Sequence, residues 1–90
     1  MNCIMPDVGG VVRELRRLGL GAWVSSIEND VTIEVMKGGL WDREVWISHD
    51  MNEENWHLML HIDNKPVLGP AEVPLENVPR ISLYLLEMDL

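Results

Sequence analysis

The sequence predicts an α+β fold: an N-terminal helix, a four-stranded antiparallel sheet and a C-terminal helix, in the order α-β-β-β-β-α. Changes in hydrophobic period lead to this prediction. Apolar residues recur at helical spacing before residue 19, at every second position between residues 22 and 62, and at helical spacing again after residue 77. Ninety residues are enough for one small core, so residues 1–90 are predicted to form a single domain.

The first helix is predicted from Val8 to Leu18. Asp7 is suited to cap its free amide groups, and Gly19 is suited to end it in a left-handed conformation. The apolar residues fall within one arc of this helix: Val8, Val11, Val12, Leu15 and Leu18. Charged residues fill the remaining surface, which we expect to face solvent: Arg13, Glu14, Arg16 and Arg17.

The first two strands, Ala22–Glu28 and Val31–Met36, are predicted to form a hairpin through a two-residue turn at positions 29–30. This register places Trp23 opposite Met36, on the face of the sheet away from the core. A three-residue turn is the alternative. It would turn Trp23 inward, because a one-residue slip reverses every side chain of a strand.

A third strand is predicted from Trp41 to His49, after a glycine-rich turn at residues 37–39. Alternation gives this strand a core side with Trp41, Val45 and Ile47. Its other side carries Asp42, Glu44, Trp46 and Ser48.

The fourth strand is predicted within Asn55–Asp63. On a helix, the apolar residues of this stretch would scatter around the whole cylinder. On a strand they divide cleanly by face, with Trp56, Leu58, Leu60 and Ile62 on one side and His57, Met59 and His61 on the other.

The strand assignment also bears on metal binding by His57 and His61, which are four residues apart. Residues at this spacing lie roughly 6 Å apart on a helix but about 13 Å apart on a strand. A zinc ion needs each nitrogen at about 2.1 Å, so the two histidines are too far apart to share one. No metal site is predicted.

The C-terminal third of the chain is predicted to contain a proline-rich loop and then a helix. The loop covers residues 63–77, with a short edge strand at residues 67–68 as an alternative. The helix starts after Asn77, and its apolar face holds Val78, Ile81, Tyr84, Leu85 and Met88. Residues 81–85 also alternate as a strand would. Three leucines outside the helical face indicate either a dimer contact or that strand: Leu83, Leu86 and Leu90.

The charge distribution predicts a basic protein partner. The net charge is −8, and residues 28–63 alone carry nine acidic and two basic residues, a balance of −7. A negative field repels phosphate backbones and anionic lipid, so direct binding to nucleic acid or to a membrane is not expected. The same field attracts a basic surface.

No motif predicts catalysis, so neither an enzyme nor a cofactor is expected. Ser48-His49-Asp50 contains the residue types of a catalytic triad. Neighbours on a strand point to opposite faces, however, so these three side chains cannot converge. Cys3 is the one cysteine, and residues 1–7 lack the basic start and apolar stretch of a secretory signal. These features predict a cytoplasmic protein.

The outer face of the sheet is the candidate binding surface. Its outward strand residues are Trp23, Glu34, Met36, Glu44, Trp46, His57, Met59 and His61. Its acidic rim adds Asp42, Asp50, Glu53 and Glu54. Aromatic and methionine side chains framed by charges are typical of surfaces that bind a partner. In the alternative arrangement the C-terminal helix covers this face and turns its residues into core.

These features favour a small acidic protein that docks on a basic, nucleic-acid-binding surface of another protein and blocks it. Inhibitors, antagonists and immunity proteins encoded by phages and mobile elements are of this kind, including anti-CRISPR and anti-restriction factors. One alternative is an assembly subunit that forms a homodimer through the Trp/Met face. A further alternative is a small enzyme or ligand carrier that uses His57 and His61.

Overall fold

The computed structural model, which describes residues 8–27, 30–50 and 53–88, confirms the α+β class. A helix precedes an antiparallel sheet of five strands, one more than predicted, and a second helix follows it. The elements are α1 (Val8–Arg17), β1 (Leu20–Ile27), β2 (Asp30–Lys37), β3 (Arg43–Asp50), β4 (Trp56–Ile62), β5 (Lys65–Val73), a 3-10 turn (Leu75–Asn77) and α2 (Val78–Glu87). The strands lie side by side in sequence order.

The helix α1 ends at Arg17, one residue before the predicted Leu18, and Gly19 follows it as the predicted stop. Gly19 adopts a φ of +86°, and its amide donates to the carbonyl of Arg16, which closes the last turn. The Arg16 guanidinium donates to the carbonyl of Ala22 through both Nε (3.1 Å) and Nη2 (2.9 Å). Arg16 therefore joins α1 to β1 as well as facing solvent. The predicted cap, Asp7, lies outside the described residues.

The pairing of β1 with β2 differs from the predicted register. Three residues, not two, separate the last pair, Ile27 and Val31. An irregularity between Val24 and Ser26 then adds one more residue on β1. Each shift of one residue reverses the face of a side chain, so two shifts restore it. Trp23 therefore keeps its outward face but lies opposite Glu34 instead of Met36.

Both helices pack on the same face of the sheet and enclose one core. The fully buried side chains are Leu15, Ile33, Val35, Val45, Ile47, Trp56, Leu58, Leu60, Val78, Ser82 and Leu86. On the opposite face, Trp23 is 40% exposed and Trp46 is 42% exposed. The alternative in which the C-terminal helix covers that face is therefore wrong.

The strand β5 replaces most of the predicted loop. A two-residue turn connects it to β4, with Asp63 and Asn64 both at positive φ, 53° and 65°. Asp and Asn tolerate this conformation, which matches the twist of a hairpin. The prolines of β5 are tolerated because the strand lies at the edge of the sheet.

The helix α2 forms as predicted, but it is rotated relative to the predicted apolar face. Its buried residues are Val78, Pro79, Ser82 and Leu86. Tyr84, predicted to face the core, is 62% exposed. Nearly the whole helix is apolar, so the period of the sequence alone does not define which side is buried. Ser82 fits inside because its hydroxyl donates to the Val78 carbonyl at 2.7 Å.

The strand β3 begins at Arg43, two residues later than predicted, which corrects the position of Trp41. Trp41 lies in the preceding turn and is 70% exposed, instead of facing the core. Arg43 points to the core side and donates to the carbonyls of Leu86, at 3.1 Å, and Met88. These carbonyls close α2, whose last turn has no basic residue of its own.

We expect Arg43→Ala to lower the free energy of unfolding by about 2–3 kcal/mol, because it leaves half-buried carbonyls at the end of α2 without a donor. Urea denaturation followed by circular dichroism measures the change. Arg80→Ala, an exposed arginine of α2 that donates to the Asn77 side chain and not to a backbone carbonyl, is the control and should cost far less. Equal losses in the two variants would contradict the capping role of Arg43.

We expect Gly69→Ala to cost about 2–4 kcal/mol of unfolding free energy, because two effects combine there. Gly69 has a φ of +104°, and a Cβ at this position would lie 2.5 Å from the carbonyl oxygen of Leu58. Gly38→Ala is the matched control, since a Cβ there meets nothing within 4 Å. The same denaturation experiment compares both, and a neutral Gly69→Ala would show that β5 is not held against β4.

Candidate functional site

The exposed face of the sheet, here called the outer face, carries one row of three apolar side chains and one carboxylate. Cross-strand pairing aligns Trp23, Glu34, Trp46 and Met59 across β1 to β4. Directly opposed residues on neighbouring strands have Cβ atoms about 5 Å apart, so these side chains are in reach of one another. We refer to them as the aromatic row.

A second row, here called the polar row, runs parallel to the first. It consists of Thr32, Ser48, His57 and Glu72, on β2 to β5. Between the two rows lies an open groove with a volume of about 290 Å³. The groove is lined by Thr32, Trp46, Ser48, His57, Met59, His61 and Pro70. The outer face therefore combines exposed apolar surface with hydrogen-bonding groups.

His61 has a different position from the one expected for a contact residue. Its ring packs against Trp46, with centroids 4.4 Å apart and planes tilted by 31°. Only 9% of His61 is exposed, and its Nδ1 has no hydrogen-bond partner within the described residues. His61 therefore supports the indole of Trp46 from below.

Two carboxyl groups on the outer face, those of Glu34 and Glu44, lie close enough to affect each other. Burial, a hydrogen bond with Glu34 and the charge of Glu34 together raise the pKa of Glu44 above its ordinary value of 4.5. His61 and the indole of Trp46 act in the opposite direction and lower it. The pair is a site of unfavourable negative charge that an incoming cation would neutralise.

The remaining predicted contact residues do not form one continuous surface. Asp42 precedes β3, whereas Asp50 ends it, and a strand of this length spans about 26 Å. Glu53 and Glu54 are exposed in the loop before β4, at the same end as Asp50. Asp42 is therefore separated from the other rim carboxylates. Met36 and Met59, on β2 and β4, are both half-buried on the outer face.

Four residues of this face are not among the predicted contact residues: Thr32, Ser48, Pro70 and Glu72. Alternation along β2 and β3 places the first two on the outward side, as predicted for Ser48, but neither was predicted to contact a partner. The last two depend on β5, which the prolines concealed.

Three side chains of ligand type meet at one end of the polar row. They are Glu53, His57 and Glu72, and one nitrogen or oxygen atom from each lies within 4.8 Å of the others. His57 is the shared member of this trio and of the pair considered from sequence, but His61 is not part of it. The arrangement depends on β5, which supplies Glu72 opposite His57.

Comparison of the chain with protein-family models, with curated proteins and with solved structures gives no match. Within the described residues, neither helix is long and apolar enough to cross a bilayer. The site must therefore be interpreted from its own chemistry.

We expect Glu44→Gln to raise the melting temperature at pH 7 by roughly 1–4 °C, because the amide removes a carboxylate that its surroundings disfavour. The pKa of Glu44 is higher in the folded protein than in the unfolded chain. Ionisation of this carboxyl group therefore lowers the free energy of unfolding as the pH rises from 4.5 through the raised pKa. Below about pH 4, where Glu44 is protonated in both states, the variant should lose its advantage.

The control for this experiment is Glu76→Gln, which removes the same charge from an exposed residue of the 3-10 turn. Thermal melts from pH 3.5 to 8 measure both variants. An equal stabilisation by Glu76→Gln would mean that the net charge, and not the Glu34–Glu44 pair, causes the effect.

Proposed function

We propose that this chain is a cytoplasmic docking protein that binds a basic surface of another protein through its outer face and blocks it. One observation carries the proposal. The aromatic row presents two indoles, 40% and 42% exposed, on either side of Glu34, on a face that both helices leave open. A contiguous apolar patch with a charged centre is what a partner-binding surface offers.

The indoles act as the apolar anchors of the complex. Tryptophan is enriched among the residues that dominate binding energy, because a rigid ring buries much area at little entropic cost. Trp46 is already held in place by the ring of His61 beneath it. Met59 continues the row with a flexible side chain, which adapts to the shape of the partner.

The Glu34–Glu44 pair selects a basic partner. In the free protein, burial and then the neighbouring Glu34 disfavour the ionised form of Glu44 and so raise the pKa of this carboxyl group. An arginine or lysine placed between them would relieve this repulsion and gain a charge-assisted hydrogen bond. Trp23 and Trp46 lie on either side of Glu34, so the same cation would also meet the face of an indole.

The sign of the charge points to the class of target. A net charge of −8 accelerates encounter with a basic surface, and grooves that hold nucleic acid are the most basic surfaces proteins commonly present. Blocking such a groove is how an anti-CRISPR, anti-restriction or immunity-type factor would act. Competitive docking fits better than mimicry of DNA, because the acidic residues alternate with apolar ones instead of forming a dense line of charge.

The test compares two double variants with the same charge change. Trp46→Ala with Glu44→Lys alters the aromatic row, whereas Trp41→Ala with Glu76→Lys removes an exposed indole and a carboxylate outside it. Affinity purification at low salt, with mass spectrometry, should recover the same basic partner with the wild-type chain and the second variant. The first variant should lose it, and high salt should weaken the wild-type complex.

Two outcomes would contradict the proposal. In the first, both variants recover the same proteins. In the second, light scattering shows a dimer that only the Trp46/Glu44 variant dissociates, which would support the homodimer instead. Trp46→Ala should cost only about 1–2 kcal/mol of folding free energy, against about 3–5 kcal/mol for the buried Trp56→Ala, so lost binding is separable from unfolding.

A further inference from the structure

We propose that Glu53, His57 and Glu72 form a binding site for a divalent transition-metal ion, with Zn²⁺ as the preferred occupant. This inference does not depend on the docking function, because it concerns the three side chains alone and is tested without a partner. The three side chains converge from two parts of the chain, residues 53–57 and β5.

The fold brings the three side chains together in two ways. Glu53 belongs to the loop that precedes β4, and His57 is the second residue of that strand. Glu72 belongs to β5 and lies directly opposite His57 in the pairing of the two strands. All three project on the outer side of the sheet, since the core side of β4 carries the buried Trp56 and Leu58.

The distances suit a small metal ion. His57 Nε2 lies 2.8 Å from Glu53 Oε2 and 3.9 Å from Glu72 Oε1. Ligand atoms around a tetrahedral zinc ion with bonds of about 2.1 Å are separated by roughly 3.4 Å. The present distances lie on both sides of that value. Glu53 and Glu72 are exposed, so their side chains are free to adjust by the small amount required.

An ion pair between His57 and Glu53 does not account for the position of Glu72 beside them. One imidazole nitrogen lies near two carboxylates, but a single N–H donates well to only one of them. Within the described residues, the second carboxylate, that of Glu72, has only the longer contact of 3.9 Å with His57, and it lies within 4.8 Å of the like charge of Glu53. A divalent cation bound by both oxygens and the nitrogen neutralises the two negative charges at once.

The mixed ligand set selects the metal. Two carboxylates alone would suit Ca²⁺ or Mg²⁺, which take oxygen ligands. The imidazole shifts the preference to zinc and related transition metals, which bind nitrogen and oxygen together. Three protein ligands leave at least one coordination position for water or for a group supplied by another molecule. That position would lie beside the groove, because His57 also lines it.

The experiment is a titration of the isolated protein with Zn²⁺ by calorimetry, and with Co²⁺ followed by visible absorption. The protein carries Cys3→Ser and no affinity tag, so that no thiol or added histidine contributes. We expect one ion per chain, a melting temperature that rises with zinc, and affinity that falls roughly tenfold or more in His57→Gln and in Glu72→Gln.

The matched control is Glu54→Gln, which removes an equally exposed carboxylate next to Glu53 but outside the trio. It should keep wild-type affinity, and circular dichroism confirms that all variants are folded. Absence of zinc binding by the wild-type chain would overturn the proposal. So would equal affinity of Glu72→Gln and the wild type, or binding of Ca²⁺ in preference to Zn²⁺.

Discussion

In the part of the chain that the structure describes, the two helices cover one face of the sheet, and this determines both the stability of the protein and the surface it presents. The central strands bury Val45, Ile47, Leu58 and Leu60 completely beneath the two helices. Because side chains alternate along a strand, the residues between them must project to the other side. The outward position of Trp46 is therefore a geometrical consequence of burying its two neighbours. The proposed binding surface and the core both result from one alternating pattern.

The sequence predicts the central strands best, because a side chain on a strand can face only one of two sides of the sheet. In β3 and β4 buried residues alternate with more exposed ones, and Val45, Ile47, Leu58 and Leu60 face the core as predicted. Of the fifth strand, the sequence suggests only the short edge strand at residues 67–68, given as an alternative, because the prolines of β5 are typical of loops. Asp63-Asn64 already carries the signal of a tight turn. The sequence does not predict the rotation of α2 about its axis, because a helix that is apolar on nearly all sides is oriented only by the elements against which it packs.

The residues of the candidate site are likewise predictable only in part. The sequence predicts that Trp23, Glu34 and Trp46 share a face, and they do, although Trp23 keeps this face only because two shifts in the pairing of β1 with β2 cancel. It does not predict that His61 is largely hidden, because that depends on one ring lying over another. Nor does it bring Glu72 to His57, a contact between elements whose pairing must be known first. Residue identity thus determines which side chains face outward, and tertiary pairing determines which of them act together.

The irregular margin formed by β5 also limits how this molecule can associate. Two prolines, Pro66 and Pro70, remove amide donors from this edge, and the pairing with β4 is interrupted twice. An edge of this kind is a poor template for the addition of another strand, so β5 resists the open-ended growth that leads to aggregates and fibrils. This matters because Trp23, Trp41 and Trp46 are all exposed, and exposed apolar surface favours aggregation.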